Sequence, residues 1–440
     1  MESQNSQNSQ KTKQKKMNYK LIGVAIIIII ALVGGALGVA LVTRSPNTVT
    51  TATATQTVTS SGVTTATITA TTTSTATSSS TSKTLPSVIL NGAGSTFQQP
   101  VLSVMIPAYE ATRTDIALTV NYQGVGSGAG ISDLEAGTVD FAASDVPGAV
   151  TLPTGAPAST QVLWIPDTIG CVTVSYNLKL TNGTVMSIHD QPLYLNGSVI
   201  AGIFDGQITS WNDPHIAALN PNIASLLPAK SIVAVHRSDS SGTTYIFSGY
   251  LCKESSYFNA TDGPGPSKTT VFTAPNLVGA NGNAGVAAVV QGDTYSIGYV
   301  ELAYALQNTM PVSAIQNVQG NWILPSLNST QIAVQAAALS GLPANNQSWT
   351  KVSLLNANAA GAYPIVAFTY LVVYKELDVI PGMTQSMATA LAQFLYWVVQ
   401  TSGGQSYSNG ISFAQLPSNV VTIDDAGILS LTFNGQSLNV

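Results

Sequence analysis

Residues 231–251, SIVAVHRSDSSGTTYIFSGYL, read as a strand, a turn rich in glycine and hydroxyl groups, and the opening of a helix. The same plan occurs twice more. Residues 87–97, SVILNGAGSTF, run from strand through a glycine turn to a helix start, and residues 117–137, ALTVNYQGVGSGAGISDLEAG, repeat it. Outward from these junctions, TVDFAAS (138–144), WIPDTIGCVTVSYNL (164–178) and IVAFTYLVVYK (365–375) are strand-like, and TQSMATALAQFLYWVVQ (384–400) is helical. Strands alternating with helices predict an α/β fold with mostly parallel sheets.

The three junctions suit one chemistry. A helix N-terminus presents N–H groups without intrahelical partners and the positive end of the helix dipole. Glycine allows a ligand to approach the backbone, and Ser or Thr hydroxyls add donors. One such junction is a weak sign of an anion site, and three in one α/β chain are a stronger one. Taken singly, each hydroxyl is more commonly just a helix cap. Arg237 stands ahead of the third turn, and its guanidinium can grip an oxyanion with two prongs. Asp145 follows the strand TVDFAAS. A carboxylate only accepts hydrogen bonds, so in an anion site it fits a ligand that carries its own proton. Phosphate is protonated near neutral pH and sulfate is not. A buried acceptor that faces no donor costs about 1–3 kcal/mol, which is enough to discriminate.

Four segments carry a resemblance. GAGSTFQQP (92–100), YQGVGSGAG (122–130), VDFAASDVP (139–147) and VHRSDSSGTT (235–244) resemble the signature segments of PstS-like phosphate-binding proteins of ABC importers. GQITSWNDPHIAALNP (206–221) and YSIGYVELAYA (295–305) match that family in order and spacing, and the likeness covers residues 88–425. The resemblance implies a two-lobed, periplasmic-binding-protein-like clamp of type II with a hinge. One lobe would hold residues 88–165 and 363–440, the other 166–362. It also implies ligand contacts from Thr96 and Phe97 in the first turn, Ser127 in the second, and Arg237, Ser241, Gly242 and Thr243 in the third. Asp145 would accept the phosphate proton, and Asp239 would orient Arg237. The implied partners are inorganic phosphate and the permease and ATPase subunits of a phosphate importer. No cofactor is implied. His236 stands where an arginine is common in the family, and basic residues are scarce throughout.

The N-terminal region extends the picture. Residues 21–42, LIGVAIIIIIALVGGALGVALV, contain no charge, and 22 residues of helix span a bilayer core. Five lysines precede them and only Arg44 follows closely, which places residues 1–20 in the cytoplasm and the rest outside. An uncleaved anchor over 21–43 is favoured over a signal peptide, because no A-x-A site follows directly. Residues 44–86 are almost wholly Thr, Ser, Ala and Val and read as a stalk that cannot bury a core. Five Asn-x-Ser/Thr sequons, at Asn182, Asn196, Asn259, Asn328 and Asn346, agree with an outside location and predict a glycoprotein. Residues 87–440 form the binding domain. An archaeal cell with a single membrane agrees with the tether and with the scarcity of charge.

Composition excludes other classes. Charged residues are 8% against roughly 25% in typical soluble proteins, so polarity must come from uncharged side chains, which suits an acidic exterior or a glycosylated surface. The net charge of −5 argues against nucleic-acid binding. The three histidines lack metal-ligand spacing. Cys171 and Cys252 leave both a disulfide and two thiols open. A dinucleotide enzyme matches the 124–130 turn but not two further anion turns or an outside location, and no turn shows G-x-S-x-G, so an enzyme is not expected. A stalked, glycosylated surface protein fits the Thr-rich segment but not the clustered anion-site residues. A receptor for another protonated oxyanion, such as arsenate, is the remaining alternative.

Overall fold

Along Ser87–Gly94 (β1) exposed and buried residues alternate until the last three, all of which are buried, so the strand leaves the sheet's rim and enters its middle. Its neighbours in chain order are Ala117–Gly124 (β2), Phe141–Ser144 (β3), Val162–Asn177 (β4), Val233–Arg237 (β5), Leu277–Ala280 (β6), Ser296–Glu301 (β7) and Val366–Tyr374 (β8). They form one eight-stranded sheet in the order β2-β1-β3-β8-β4-β7-β5-β6. The middle strands β3 and β7 are buried at every residue and β8 and β4 nearly so. The edge strands β2 and β6 are largely exposed or half-buried. That gradient is the expected signature of a sheet covered on both faces.

The sheet is more mixed than a βαβ pattern implies. β1 runs parallel to β2 and β3, and β5 runs parallel to β7 and β6. In the middle, β8 is antiparallel to β3 and β4, and β4 is antiparallel to β7. The 16-residue β4 joins the two parallel halves: it pairs with β8 along residues 162–171 and with β7 along residues 172–177. A register shift at Thr369/Tyr370 interrupts the β4–β8 ladder beside Asp167.

Helices cover the sheet. Gln99–Thr112 (α1) starts with Pro100, whose missing N–H and fixed φ suit a first turn. Ser127–Glu135 (α2), Gly242–Glu254 (α3), Gly282–Gly292 (α4) and Leu302–Gln307 (α5) follow β2, β5, β6 and β7 directly. Gln385–Val399 (α6) buries Ala388, Leu391, Ala392, Leu395, Val398 and Val399, the stripe that a 3.6-residue period produces, and Thr384 caps it by accepting from the Met387 N–H.

This computed structural model describes residues 85–440 except 158, 262–264, 270–271 and 338, together with strands Thr55–Thr57 and Thr67–Thr69, which pair antiparallel. Residues 83–440 form one compact unit. The expected basic segment 1–20, the anchor 21–43 and most of the linker 44–86 lie outside the described residues. No helix among the described residues is long and apolar enough to cross a membrane. Cys171 and Cys252 are not joined as a disulfide: Cys171 is buried in β4, where desolvation raises its pKa, and Cys252 donates to the Gly265 carbonyl.

Candidate functional site

The parallel strands of both halves end at one place. β1, β2 and β3 end at Gly94, Gly124 and Ser144, and β5, β6 and β7 end at Arg237, Ala280 and Glu301. The residues just beyond these ends, and the helix N-termini that follow them, meet across a cleft. This is where ligands bind in open α/β sheets.

One half contributes Ser95, Thr96, Ser127 and Asp145, all at least 95% buried. Ser95 Oγ donates to Asp145 Oδ2 at 2.7 Å, and Ser127 Oγ donates to the same oxygen at 3.4 Å. Ser127 Oγ also accepts from the Asp145 N–H at 3.2 Å. Ser127 is therefore not a cap of α2, whose capping position is Gly126 with φ 98°, a left-handed conformation that glycine adopts without strain. Asp145 Oδ1 has no hydrogen-bond partner among the described residues. Burial pushes the Asp145 carboxyl up to about 7, against the lowering pull of the Ser95 hydroxyl and the Arg237 charge. Phe97 places its ring in the core, edge-on to Phe413, and its N–H donates to Ser95 Oγ at 3.0 Å.

The other half contributes Arg237, 1% exposed. Its Nε donates to Asp239 Oδ1 at 2.7 Å, its Nη2 to Asp239 Oδ2, and its Nη1 to Thr243 Oγ1 at 3.0 Å. Burial raises the Asp239 pKa, but the Arg237 hydrogen bonds and charge outweigh it and hold the carboxyl below its usual range. Asp239 Oδ1 also accepts from the Gly282 N–H at 3.1 Å. Ser241 caps α3 by accepting from the Thr244 N–H at 3.1 Å, the structural role that a serine at such a turn most often has. Gly242 lies so close to Asp145 and Ser127 that any side chain would overlap both.

Several bonds cross the cleft. The Gly128 N–H donates to the Ser240 carbonyl at 2.9 Å, and the Tyr304 hydroxyl to the Thr96 carbonyl at 2.8 Å. Asn283 Nδ2 donates to Thr96 Oγ1 at 2.9 Å and to Thr243 Oγ1 at 3.1 Å. Thr96, Ser127, Asp145, Arg237, Asp239, Ser241, Gly242 and Thr243 are thus brought together. Ser95, which stands in the first turn, and Asn283, Tyr299 and Tyr304, which lie outside the three turns, belong with them. Residues 280–285, ANGNAG, form a fourth glycine turn after a strand, and that pattern was the available signal for Asn283. Tyr299 donates nothing to the cleft directly: its hydroxyl accepts from the Arg237 N–H at 3.1 Å and bonds Thr244 Oγ1 at 2.7 Å.

Donors outnumber acceptors in this ring of described residues, and Asp145 brings to it a carboxylate oxygen without a partner. The arrangement suits an oxyanion that also carries a proton. Asp145 additionally lines a cavity of about 220 Å³ with Tyr245, Lys253, Phe368 and Tyr370. None of Thr96, Ser127, Arg237 or Thr243 lines that cavity, so the donor ring is a separate feature.

Residues 48–402 match the family model of the PBP superfamily domain. The phosphate-binding protein PstS of Xylella fastidiosa strain Temecula1 is 37% identical over 335 residues, 76% of this chain and 83% of the relative. The phosphate-binding protein PstS of Methanocaldococcus jannaschii is 33% identical over 347 residues, 77% of this chain and 85% of the relative. Two solved structures share the fold. A high-affinity periplasmic phosphate-binding protein, PfluDING, bound with phosphate at pH 8.5, superposes with TM-score 0.58 and 21% identity, covering 77% of this chain and 93% of its own. The phosphate-binding protein of Stenotrophomonas maltophilia gives TM-score 0.51 and 18% identity, covering 77% of this chain and 92% of its own. The fold is therefore the two-lobed α/β architecture of periplasmic binding proteins, and the chain belongs to the PstS family of phosphate-binding proteins within the PBP superfamily.

Proposed function

We propose that this chain captures inorganic phosphate outside the cell and delivers it to an ABC-type permease, with no chemistry on the ligand. The observation that carries the reading is Asp145: a buried carboxylate with one oxygen held by Ser95 and Ser127 and the other without a partner among the described residues, inside a ring of donors. An empty buried acceptor is costly. A hydrogen phosphate oxyanion supplies the missing O–H while its other oxygens take the N–H and O–H donors of Thr96, Ser127, Arg237, Gly242 and Thr243. Phe97 contributes through its backbone position, with its ring as the anchor of the first turn.

The two lobes, residues 88–165 with 363–440 and residues 166–362, meet along β4, which pairs with β8 over 162–171 and with β7 over 172–177. Closure about β4 and β8 brings Arg237 and Asp145 to the same ligand, and the closed form is what the permease reads. The uncharged run 21–42, the Thr-rich segment after it and the sequons support a single-pass anchor with the binding lobes outside and glycosylated.

Calorimetric titration of residues 83–440 with phosphate and with sulfate, on protein stripped of carried-over ligand, tests the reading. One-to-one binding of phosphate with no heat from sulfate is expected. Silence with both anions from a folded sample overturns it and favours a stalked surface protein.

A further inference from the structure

Asn283 bonds candidate ligand groups from both lobes, Thr96 of one and Thr243 of the other. It stands in the first turn of α4 and is fully buried. Its Oδ1 accepts from the Glu301 N–H at 3.0 Å. A backbone N–H can only donate, so the atom facing it must be the amide oxygen, and the amide cannot be flipped. The NH₂ group is thereby directed the other way, with one proton on Thr96 Oγ1 and one on Thr243 Oγ1.

A hydroxyl has two lone pairs and one proton. Thr96 Oγ1 accepts from Asn283 Nδ2 and from the Asn283 backbone N–H at 3.2 Å, so both lone pairs are taken. Thr243 Oγ1 accepts from Asn283 Nδ2 and from Arg237 Nη1, so both of its lone pairs are taken too. Each hydroxyl is left with only its proton to offer, and neither donates a hydrogen bond among the described residues. We propose that Asn283 is a positioning residue that fixes the Thr96 and Thr243 hydroxyls, one from each lobe, as obligate donors to the oxyanion. Without it, each hydroxyl would be able to turn and present a lone pair, which an oxyanion repels. The inference rests on the phosphate reading and adds a specificity-determining residue to it. It also explains a linkage between closure and recognition: the amide reaches both threonines only when the lobes are together, so the donors are set as the cleft shuts.

The decisive variant is Asn283→Asp, nearly isosteric but with an acceptor where the NH₂ stood. The charged groups around position 283 are Arg237 and Asp239 ahead of α3, Glu301 and Tyr304 at the start of α5, and Asp145 across the cleft. Burial among these carboxylates raises the pKa of the new carboxyl, so its ionised fraction grows as the pH rises. When ionised it draws both threonine protons away from the ligand.

Titration calorimetry of the full chain with inorganic phosphate is expected to show N283D binding about 100-fold more weakly than wild type at about pH 8. That ratio is expected to shrink at least tenfold near pH 5, and N283A is expected to lose about tenfold at both pH values. A purely structural role would give a ratio independent of pH, and that result, or N283D binding as wild type at pH 8, overturns the proposal. If N283D does not fold, a cycle of N283A with Thr243→Ala decides. A smaller cost of N283A in the Thr243→Ala background supports the proposal, and additive losses overturn it. Failure of wild type itself to bind phosphate in the same series would instead sink the receptor reading.

Discussion

Gly242 and Asp145 come from opposite halves of the sheet and touch: a Cβ on Gly242 would overlap Asp145 Oδ2 and Cβ and the Ser127 hydroxyl. The glycine is needed for closeness, since its φ is not in the left-handed region and a helix start accepts alanine. Gly242→Ala is therefore expected to hold the lobes apart while leaving each lobe intact. Overpacking of this kind costs about 1–3 kcal/mol, which corresponds to roughly a 10- to 100-fold loss of phosphate affinity. The melting temperature of the ligand-free variant should equal or exceed that of wild type, because glycine is a poorer helix residue than alanine. Affinity and stability measured together check this, and unchanged affinity would mean the cleft closes differently.

Arg237 is held on two sides, by Asp239 at Nε and Nη2 and by Thr243 at Nη1, with its backbone N–H on Tyr299. A guanidinium so fixed loses little entropy when an oxyanion arrives. Arg237→Ala removes the charge and leaves Asp239 buried without its partner, so affinity should fall more than tenfold, on the order of the 1.5–3 kcal/mol of a charged hydrogen bond. Removing one member of a buried pair also destabilises by about 3–5 kcal/mol. Phosphate titration and thermal melting read the two effects separately, and a near-wild-type dissociation constant would remove the third turn from the site.

The strand-turn-helix repeats were legible because each has a short apolar run, a glycine cluster and a hydroxyl in order. They correctly announced β1, β2 and β5 and the turns that carry Thr96, Ser127 and Arg237. The middle of the sheet was less legible. β4 and β8 are continuous apolar runs, and such runs do not reveal direction, so their antiparallel pairing and the mixed sheet were hidden. Asn283 was missed because its turn holds no hydroxyl and no charge, and because its partners, Thr96 and Glu301, lie 187 and 18 residues away. Tyr299 and Tyr304 carry no cue in the sequence: the Tyr299 hydroxyl acts within its own half, on Arg237 and Thr244, and the Tyr304 hydroxyl acts across the cleft, on the Thr96 carbonyl. The role of Ser241 was ambiguous in sequence: the structure makes it a helix cap whose proton remains available.

The buried carboxylates predict how stability varies with pH. Burial raises Asp145 to about 7 and Asp167 to about 6, from 3.8, and raises Glu301 and Asp424 as well. Between pH 4 and 7 the folded, ligand-free protein keeps protons that the unfolded chain releases. The stability that Asp145 and Asp167 allow is fully present below about pH 4 and is lost as pH rises through 6 and 7, and Glu301 and Asp424 act in the same direction. Asp239, lowered by Arg237, acts in the opposite sense and loses its contribution only as the pH falls below the ordinary carboxylate range. The melting temperature of ligand-free protein should therefore decline from about pH 4.5 to pH 7.5, a direction that suits a chain with so few surface charges. A melting temperature that climbs over that interval would show that the buried carboxylates are ionised in the fold.

Asp145 links pH to selectivity. Above pH 7 its carboxylate is an acceptor, so an oxyanion without a proton leaves Oδ1 unsatisfied and is rejected. Below pH 7 the carboxyl itself is protonated, because burial holds its pKa at about 7, and it offers an O–H to any oxyanion. Rejection of sulfate by wild type should thus be strong at about pH 8 and weaken at about pH 5. Asp145→Asn presents an amide donor at every pH. It should bind phosphate about tenfold more weakly, the value of one lost hydrogen bond to a charged group, and should accept sulfate without regard to pH. Competition of sulfate against phosphate, measured for both proteins at the two pH values, reads the preference of each protein at each pH. If wild-type rejection is the same at pH 5 and pH 8 and the variant rejects sulfate equally well, discrimination comes from the geometry of the donor ring and not from the Asp145 proton.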